Sequence, residues 1–152
     1  MYKLLLTTVT IGALATSALA QSATDTAKAR RAFFTLIGYE MGTVGAMAQG
    51  KMDYDAEAAS AAAADMVALT KYTMSDLFAP GTSSDDVPGE TRALPAIWED
   101  MSGFQAAGED FTAALMELNA VAGDGLDALR PAVGKLGGTC KACHDEYRAK
   151  SF

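Results

Sequence analysis

Apolar residues recur at alternating steps of three and four along most of the chain, which is the spacing of one helix face. Residues 25–50 predict a first helix, whose core face consists of Phe34, Ile37, Met41, Val44 and Ala48. A flanking apolar stripe consists of Phe33, Leu36 and Met47. So wide an apolar surface predicts burial on two sides, either against a second copy of the chain in a homodimer or within one broad core.

An alanine-rich segment, residues 54–79, predicts the second helix, because alanine has the highest helix propensity. Its core side is marked by Ala62, Met66, Leu69, Thr73 and Leu77. Pro80 and Gly81 end this pattern. The following residues, 80–95, contain three prolines among small polar residues and predict a long loop.

Two further helices complete the pattern. Residues 96–122 predict the third, with a seam of inward positions at Ile97, Met101, Phe104, Gly108, Phe111, Leu115 and Leu118. After Gly123 and Gly125, the fourth repeats this alternation at Leu126, Leu129, Val133, Leu136, Cys140, Cys143 and Tyr147. Pro131 predicts a kink or a restart within it. No run alternates with the two-residue period of a strand, so we expect an all-α chain that forms an antiparallel four-helix bundle.

The first twenty residues predict a cleaved secretory signal peptide. A basic start at Lys3 precedes an apolar centre, and the segment ends in the small residues Ala18 and Ala20, as a signal-peptidase site requires. An uncleaved membrane anchor is the alternative, which the short and interrupted apolar run disfavours. We therefore expect residues 1–20 to be removed and residues 21–152 to form one periplasmic domain without stable membrane insertion.

The chain is acidic, with a formal net charge of −7 that becomes −8 when Lys3 is removed. Such a surface repels the phosphates of nucleic acids and of anionic lipids, so neither is an expected partner. It permits a basic protein partner without requiring one, and solubility alone also accounts for it.

Both cysteines and the only histidine lie within five positions, at Cys140, Cys143 and His144. A disulfide between the cysteines would close a very small loop and stabilise little. A structural zinc site requires four protein ligands, and a thioredoxin-like pair requires a strand–helix context that the sequence does not predict. The spacing C-x-x-C-H is that of one covalently attached haem c. Both thiols form thioethers with the haem vinyl groups, and the histidine becomes an axial ligand of the iron.

Three segments of the sequence resemble the cytochrome c′ family, namely ARRAFFTLIGYEM in the first helix, PGTSSDDVPGETRALPAIWEDM across the loop and LGGTCKACHDEYR at the end. The resemblance covers essentially the whole predicted mature chain. It implies a four-helix bundle with haem c near the C-terminus, dimerisation through the first two helices, and binding of nitric oxide and carbon monoxide. It also implies that nitric oxide is able to break the bond between the iron and His144, as in several members.

The residue opposite His144 decides the function. In the family, the distal residue follows an arginine of the first helix by one turn, and the match places Arg30 at the arginine and Phe34 at the distal position. Phenylalanine cannot coordinate iron, and Met41 lies roughly 10 Å further along the helix. The resemblance therefore implies a five-coordinate, high-spin haem with an apolar distal side, although plain core packing would also account for Phe34.

Three further residues each have two interpretations. By resemblance, Arg30 pairs with a haem propionate, and Arg148, four residues after His144, lies beside the proximal face. Ordinary surface charge and a cation at a helix C-terminus are the respective alternatives. Trp98 either packs near a haem edge or is simply buried in the core.

Two classes of function remain. The first is a gas-binding haem protein that traps or senses nitric oxide. The second is a dedicated electron carrier with a methionine as sixth ligand, whose redox partner the sequence does not identify. Phe34 favours the first class, and electron transfer through the haem edge is compatible with it. No catalytic acid or base is evident near the iron, so we do not expect an enzyme.

Overall fold

The computed structural model describes residues 22–152, and the predicted signal peptide, residues 1–20, lies outside this range. The described chain forms six helices, α1 (Ala23–Ala48), α2 (Ala56–Leu69), α3 (Met74–Leu77), α4 (Ala96–Glu99), α5 (Met101–Val121) and α6 (Leu126–Tyr147). Within residues 22–152, the only strand-like pairing is one antiparallel bridge between Ala93 and Arg148. None of the helices in this range combines the length and the apolarity that a membrane crossing requires.

The four long helices form an antiparallel bundle, as predicted. α1 packs against α2 and α6, and α5 packs against the same two helices, so the four close into a ring. Met41 of α1 lies beside Gly137 of α6, and the carbonyl of Ala48 accepts a hydrogen bond from Arg130, so these two helices run in opposite directions. The centre is filled by the fully buried side chains Val44, Met47, Met66, Leu115, Leu118, Leu129 and Leu136.

The second and third helices are shorter than predicted. The second, predicted over residues 54–79, ends at Leu69, and the chain passes through a turn into the single-turn helix α3. The third, predicted over residues 96–122, is interrupted at Asp100. The Asp100 carboxylate accepts a hydrogen bond from the amide of Gly103 and so caps the start of α5.

The fourth helix has the predicted extent and is continuous, because α6 runs through Pro131 without a restart. Proline lacks an amide proton and therefore removes one hydrogen bond, that to the carbonyl of Asp127. The packing of α6 against α1 and α5 holds the helix together across this position.

The buried face of α1 differs from the predicted face at the turn that contains Phe33 and Phe34. Ile37 and Val44 are buried as predicted, but Phe34 remains 42% exposed. Phe33 packs against both apolar clusters of the molecule instead. Gly108, predicted on the inward seam, is exposed on α5. The remaining seam positions of the third and fourth helices are buried or half-buried, as predicted.

Gly103 permits a close approach between α5 and the end of α6. The Tyr147 hydroxyl donates to Asp100 Oδ2 over 3.0 Å, and a Cβ at Gly103 would stand 2.1 Å from that Oδ2 and 2.5 Å from the hydroxyl oxygen. Hydrogen bonds from Gly103, then Ser102 and Tyr147, lower the pKa of Asp100, so its carboxylate is ionised at neutral pH. A side chain at position 103 therefore displaces a bond that ties α5 to α6.

We expect Gly103→Ala to lower the midpoint of thermal unfolding by about 4 °C or more, because the added methyl group separates Asp100 from Tyr147. Gly108→Ala is the matched control on the same helix, since a Cβ there meets no atom within 4 Å. That variant should raise stability by about 0.5–1 kcal/mol, the helix preference of alanine over glycine. Differential scanning calorimetry measures both. If both variants shifted the unfolding midpoint in the same direction, helix propensity alone would govern position 103.

Candidate functional site

The last two turns of α6 carry both thiols and the imidazole. Cys140 and Cys143 follow the buried row of Leu129, Val133 and Leu136, so their side chains continue the inward side of the helix. His144, the next residue, is exposed. Both cysteines are half-buried, and no disulfide joins them. Burial raises the pKa of each thiol, so both are protonated at neutral pH.

Phe34 lies at the height of His144 in the bundle. Met41 and Gly137 are neighbours across the antiparallel pair of α1 and α6. Phe34 precedes Met41 by seven residues, and His144 follows Gly137 by seven, which is about 10 Å along each helix. Because α1 and α6 are antiparallel, both steps lead towards the same end of the bundle. The two residues therefore stand at one level, on facing helices.

A run of aromatic rings connects Phe34 to the end of α6. Ring centroids are 6.4 Å apart for Phe34 and Phe78, 4.7 Å for Phe78 and Phe104, and 5.5 Å for Phe104 and Tyr147. Trp98 joins this group, and its Nε1 donates to the carbonyl of Phe78 at 3.1 Å. These five side chains form the aromatic cluster. It lines the end of the bundle that carries the thiols and the imidazole.

His144 has cationic neighbours. Nη1 of Arg148 lies 3.3 Å from Nδ1 of His144. Desolvation, and next the positive charge of Arg92, lower the pKa of His144 against an opposing effect of Asp145. The imidazole is therefore neutral at neutral pH, which leaves a nitrogen lone pair available to a metal ion.

A short clamp fixes the chain directly after His144. The amide of Leu94 donates to the carbonyl of Tyr147 at 3.0 Å, and the amide of Ala149 donates to the carbonyl of Arg92 at 2.8 Å. The last turn of α6 is thereby tied to the residues that precede α4.

Arg30 is buried and anchors the connection between α3 and α4. Its Nη1 donates to the carbonyl of Leu77 and to Thr82 Oγ1, both at 3.0 Å. Its Nη2 donates to the carbonyl of Thr82 at 2.6 Å and to Thr91 Oγ1 at 2.8 Å. Its guanidinium carbon also lies 5.1 Å from the ring centroid of Phe78. Within residues 22–152, four of the five guanidinium N–H groups thus have acceptors, and Nε–H is left.

The donor set fits haem c rather than a bare metal ion. Within the described part of the chain, no group of three or more His, Cys, Asp or Glu side chains is placed to hold a metal ion. Two protonated thiols one helical turn apart are the groups that add to haem vinyl substituents, and a neutral imidazole beside them is an axial ligand. The aromatic cluster offers apolar contact to a porphyrin. A four-helix bundle with this site defines a c-type haem protein.

Comparison with known proteins identifies the family. The family model described as Cytochrome C' matches residues 25–148. Cytochrome c' from Cereibacter sphaeroides is 51% identical over 150 residues, which cover 99% of this chain and 99% of that protein. A solved structure of cytochrome c' from Rhodobacter Spheriodes has 53% identity and a TM-score of 0.83, and the match covers 85% of this chain and 98% of that one. The chain belongs to the cytochrome c′ family, and its cofactor is haem c, attached to the two cysteines that the chain contains.

Two further solved structures are similar and hold diatomic gases. A ferrous arginine-to-lysine variant of cytochrome c prime from Alcaligenes xylosoxidans with bound nitric oxide has 31% identity and a TM-score of 0.76, and the match covers 87% of this chain and 99% of that one. A leucine-to-glycine variant of the same protein with bound carbon monoxide has 32% identity and a TM-score of 0.75, with coverage of 86% and 98%. The predicted family, fold class and cofactor are confirmed.

Sequence reasoning missed three side chains near the site, Phe78, Thr91 and Arg92. All three come from the irregular connection between α3 and α4, and irregular segments have no periodicity that would place their side chains. The one usable signal was Arg30. It shares a helix face with the apolar residues Ala27, Phe33 and Phe34. An arginine that is buried on such a face requires acceptors from elsewhere in the chain.

Proposed function

We propose that this protein binds nitric oxide and carbon monoxide at a five-coordinate, high-spin haem c in the periplasm, and that it is capable of electron transfer. The observation that carries the proposal is Phe34, which stands at the height of His144 and has no atom that coordinates iron. When bound, haem supplies an iron centre that takes small neutral gases and changes its oxidation state by one electron. The gas complexes of the Alcaligenes relative support the same function.

His144 is the proposed axial ligand. It is the only histidine in the chain and directly follows Cys143. Desolvation and Arg92 keep its imidazole neutral, and the clamp after α6 fixes the turn that carries it. Arg148 lies at Nδ1, so Nε2 is the nitrogen left for the iron.

Phe34 is the proposed distal residue. Its ring has no hydrogen-bond donor, and its ring neighbours Phe33 and Phe78 have none either. A distal side without donors disfavours dioxygen and anions, which gain from a hydrogen bond. It favours carbon monoxide and nitric oxide, which need one much less.

Arg30 and Arg148 are the proposed cationic contacts of the haem. Arg30 keeps its Nε–H for a propionate, because its other four donors bind the connection between α3 and α4. Arg148 flanks the proximal side beside His144. We propose that Trp98, which donates a hydrogen bond to the carbonyl of Phe78, contacts a haem edge.

A dedicated electron carrier with a methionine as sixth ligand is the alternative. The two methionines of α1, Met41 and Met47, lie two or more turns beyond Phe34, and Met47 is buried in the core. Electron paramagnetic resonance of the ferric protein separates the two functions. We expect a predominantly high-spin signal, whereas a low-spin signal would favour the electron carrier.

We propose that residues 1–20 direct export and are cleaved, leaving residues 21–152 as the mature domain. The basic start and the small residues before Gln21 support cleavage. We expect the intact mass of the purified protein to equal residues 21–152 plus one haem, because thioethers survive denaturation and acid–acetone extraction. A retained leader would contradict the cleavage, and loss of the haem mass on extraction would contradict the thioethers.

We also propose a homodimer formed through the first two helices. α1 exposes Leu36 (53%) and Tyr39 (72%), and the space above Gly38 and Gly42 is open. Glycine has no Cβ, so a second helix is able to approach closely there. Sedimentation at micromolar concentration should give the mass of two chains, and a monomer would contradict the proposal.

A further inference from the structure

Positive charges concentrate at one end of an acidic protein. The full chain has 12 lysines and arginines against 19 acidic residues. Within residues 22–152, two ion pairs form, one between Lys135 and Glu117 and one between Lys141 and Asp145. Arginines are absent from both pairs. Several of the arginines meet instead near the C-terminus.

Phe152, the last residue, holds two of these arginines together. Its ring centroid lies 5.0 Å from Cζ of Arg31 and 5.4 Å from Cζ of Arg92, and the residue is 65% exposed. Arg31 also donates to the carbonyl of Glu90, and Arg92 to the carbonyl of Lys150, both at 3.3 Å. The surface that we call the cationic patch consists of Arg31, Arg92, Arg148, Lys150 and Phe152.

Within residues 22–152, no carboxylate forms an ion pair with the patch. Glu90 offers Arg31 its backbone carbonyl rather than its carboxylate, and Asp145 pairs with Lys141. In the described part of the chain, the two ion pairs lie outside the patch, so the guanidiniums of Arg31 and Arg92 are available to an external anion.

The patch adjoins the proposed axial ligand. Arg148 lies 3.3 Å from His144, and the positive charge of Arg92 acts on the same imidazole. A protein that docks on the patch therefore comes close to the haem that His144 would ligate, which shortens the path of an electron.

We infer that the cationic patch docks the acidic face of an electron-transfer protein. This rests on the proposed function, because it requires a haem that exchanges electrons. Arginine and aromatic side chains are enriched at protein interfaces, and opposite charges steer the approach of two proteins. One electron passes between the redox cofactor of the partner and the haem iron, so that one is oxidised as the other is reduced, and no covalent bond changes.

An oligoglutamate peptide tests docking without electron transfer. In the holoprotein, Arg31→Gln/Arg92→Gln should weaken peptide binding in isothermal titration calorimetry by about tenfold, the lower end of the range of electrostatic steering. Lys51→Gln/Arg130→Gln is the matched control, since it removes the same charge where α1 ends, at the opposite end of the bundle. The control should change the affinity by less than about twofold, as exposed charges away from a contact contribute little.

Ferricyanide, a small anionic oxidant, tests the redox role. The oxidation rate of the ferrous protein should fall as the salt concentration rises from about 0.1 M to about 1 M, where the Debye length shrinks from about 10 Å to about 3 Å. The net negative charge of the protein alone predicts that the rate rises with salt, because that charge repels the ferricyanide anion. The Arg31→Gln/Arg92→Gln variant should lose or reverse this dependence, and the control variant should keep it.

Equal effects of the patch and control variants on peptide binding would overturn the proposal. So would a ferricyanide rate that rises with salt in the unaltered protein. Failure of the proposed gas binding would be visible separately, in a carbon monoxide titration of the unaltered protein, which requires no contact with the patch.

Discussion

Phe34→Ala raises the affinity of the ferrous protein for carbon monoxide by about tenfold or more, which corresponds to roughly 1.4 kcal/mol. The gas no longer has to displace the phenyl ring from its contacts with Phe33 and Phe78. Because Phe34 is already 42% exposed, the truncation should lower the free energy of unfolding by less than the roughly 3–5 kcal/mol of a buried phenylalanine. Titration followed by absorption spectroscopy measures the affinity.

Phe33→Ala is the matched control for this variant. It removes the same ring from the adjacent position, which packs against both apolar clusters. We expect a larger loss of stability, about 3 kcal/mol, with a smaller change in gas affinity. An equal rise in affinity in both variants would mean that general loosening of the bundle, rather than cover by Phe34, limits gas binding.

Phe34→Met distinguishes a distal residue from a core residue by spectrum. It supplies a thioether one turn after Arg30, and we expect part of the haem to convert to a low-spin, six-coordinate form. If Phe34 were only a packing residue, both Phe34 variants would lower stability while the spectrum and the carbon monoxide affinity stayed as in the unaltered protein. That result would remove the main support for gas binding.

Arg30→Met lowers the free energy of unfolding by about 3 kcal/mol or more. Hydrogen bonds to a charged group contribute about 1.5–3 kcal/mol each, and their loss leaves buried acceptors without donors. The affected groups are the carbonyls of Leu77 and Thr82 and the hydroxyls of Thr82 and Thr91. Chemical denaturation of the holoprotein measures the loss.

The neighbouring arginine provides the control. Arg31 is exposed and makes one hydrogen bond, of 3.3 Å, to the carbonyl of Glu90. Arg31→Met should therefore change the free energy of unfolding by no more than about 0.5 kcal/mol. Similar losses for Arg30→Met and Arg31→Met would show that Arg30 does not anchor the connection between α3 and α4.

The bundle was predictable from the sequence because its seams repeat over several turns. The alternation that ends in Cys140, Cys143 and Tyr147 placed both cysteines on the inward side of the last helix, and burial along α6 agrees. Helix ends were less predictable. The alanine-rich pattern continued past Leu69, where the helix ends, and Asp100 interrupts the third helix with a cap that apolar periodicity does not register.

The surroundings of the site were predictable only in part. The motif and the family resemblance supplied the thiols, the imidazole and the pair Arg30 and Phe34. The contacts of Arg30 lie 47 to 61 residues away along the chain, and such distant pairings leave no local pattern. The same holds for the ring contacts of Phe78, which depend on how the connection folds back over the end of the bundle.

Arg30 and Phe34 have different roles on α1, one in anchoring the connection between α3 and α4 and the other at the proposed distal side. Arg30 holds Phe78 and the connection in place through its hydrogen bonds and its contact with the ring, and Phe78 in turn contacts Phe34. The ring of Phe34 is thus supported on one side by Phe78, which Arg30 holds in place. We expect Arg30→Met to alter carbon monoxide affinity as well as stability, through this support.

Carbon monoxide titration of the reduced, unaltered protein tests the central claim most directly. We predict a high-spin ferrous spectrum that converts to that of a carbon monoxide complex, with one gas molecule bound per haem. A low-spin ferrous spectrum that stays the same in saturating carbon monoxide would contradict the claim, because it would place a protein ligand on the side of the haem assigned to Phe34.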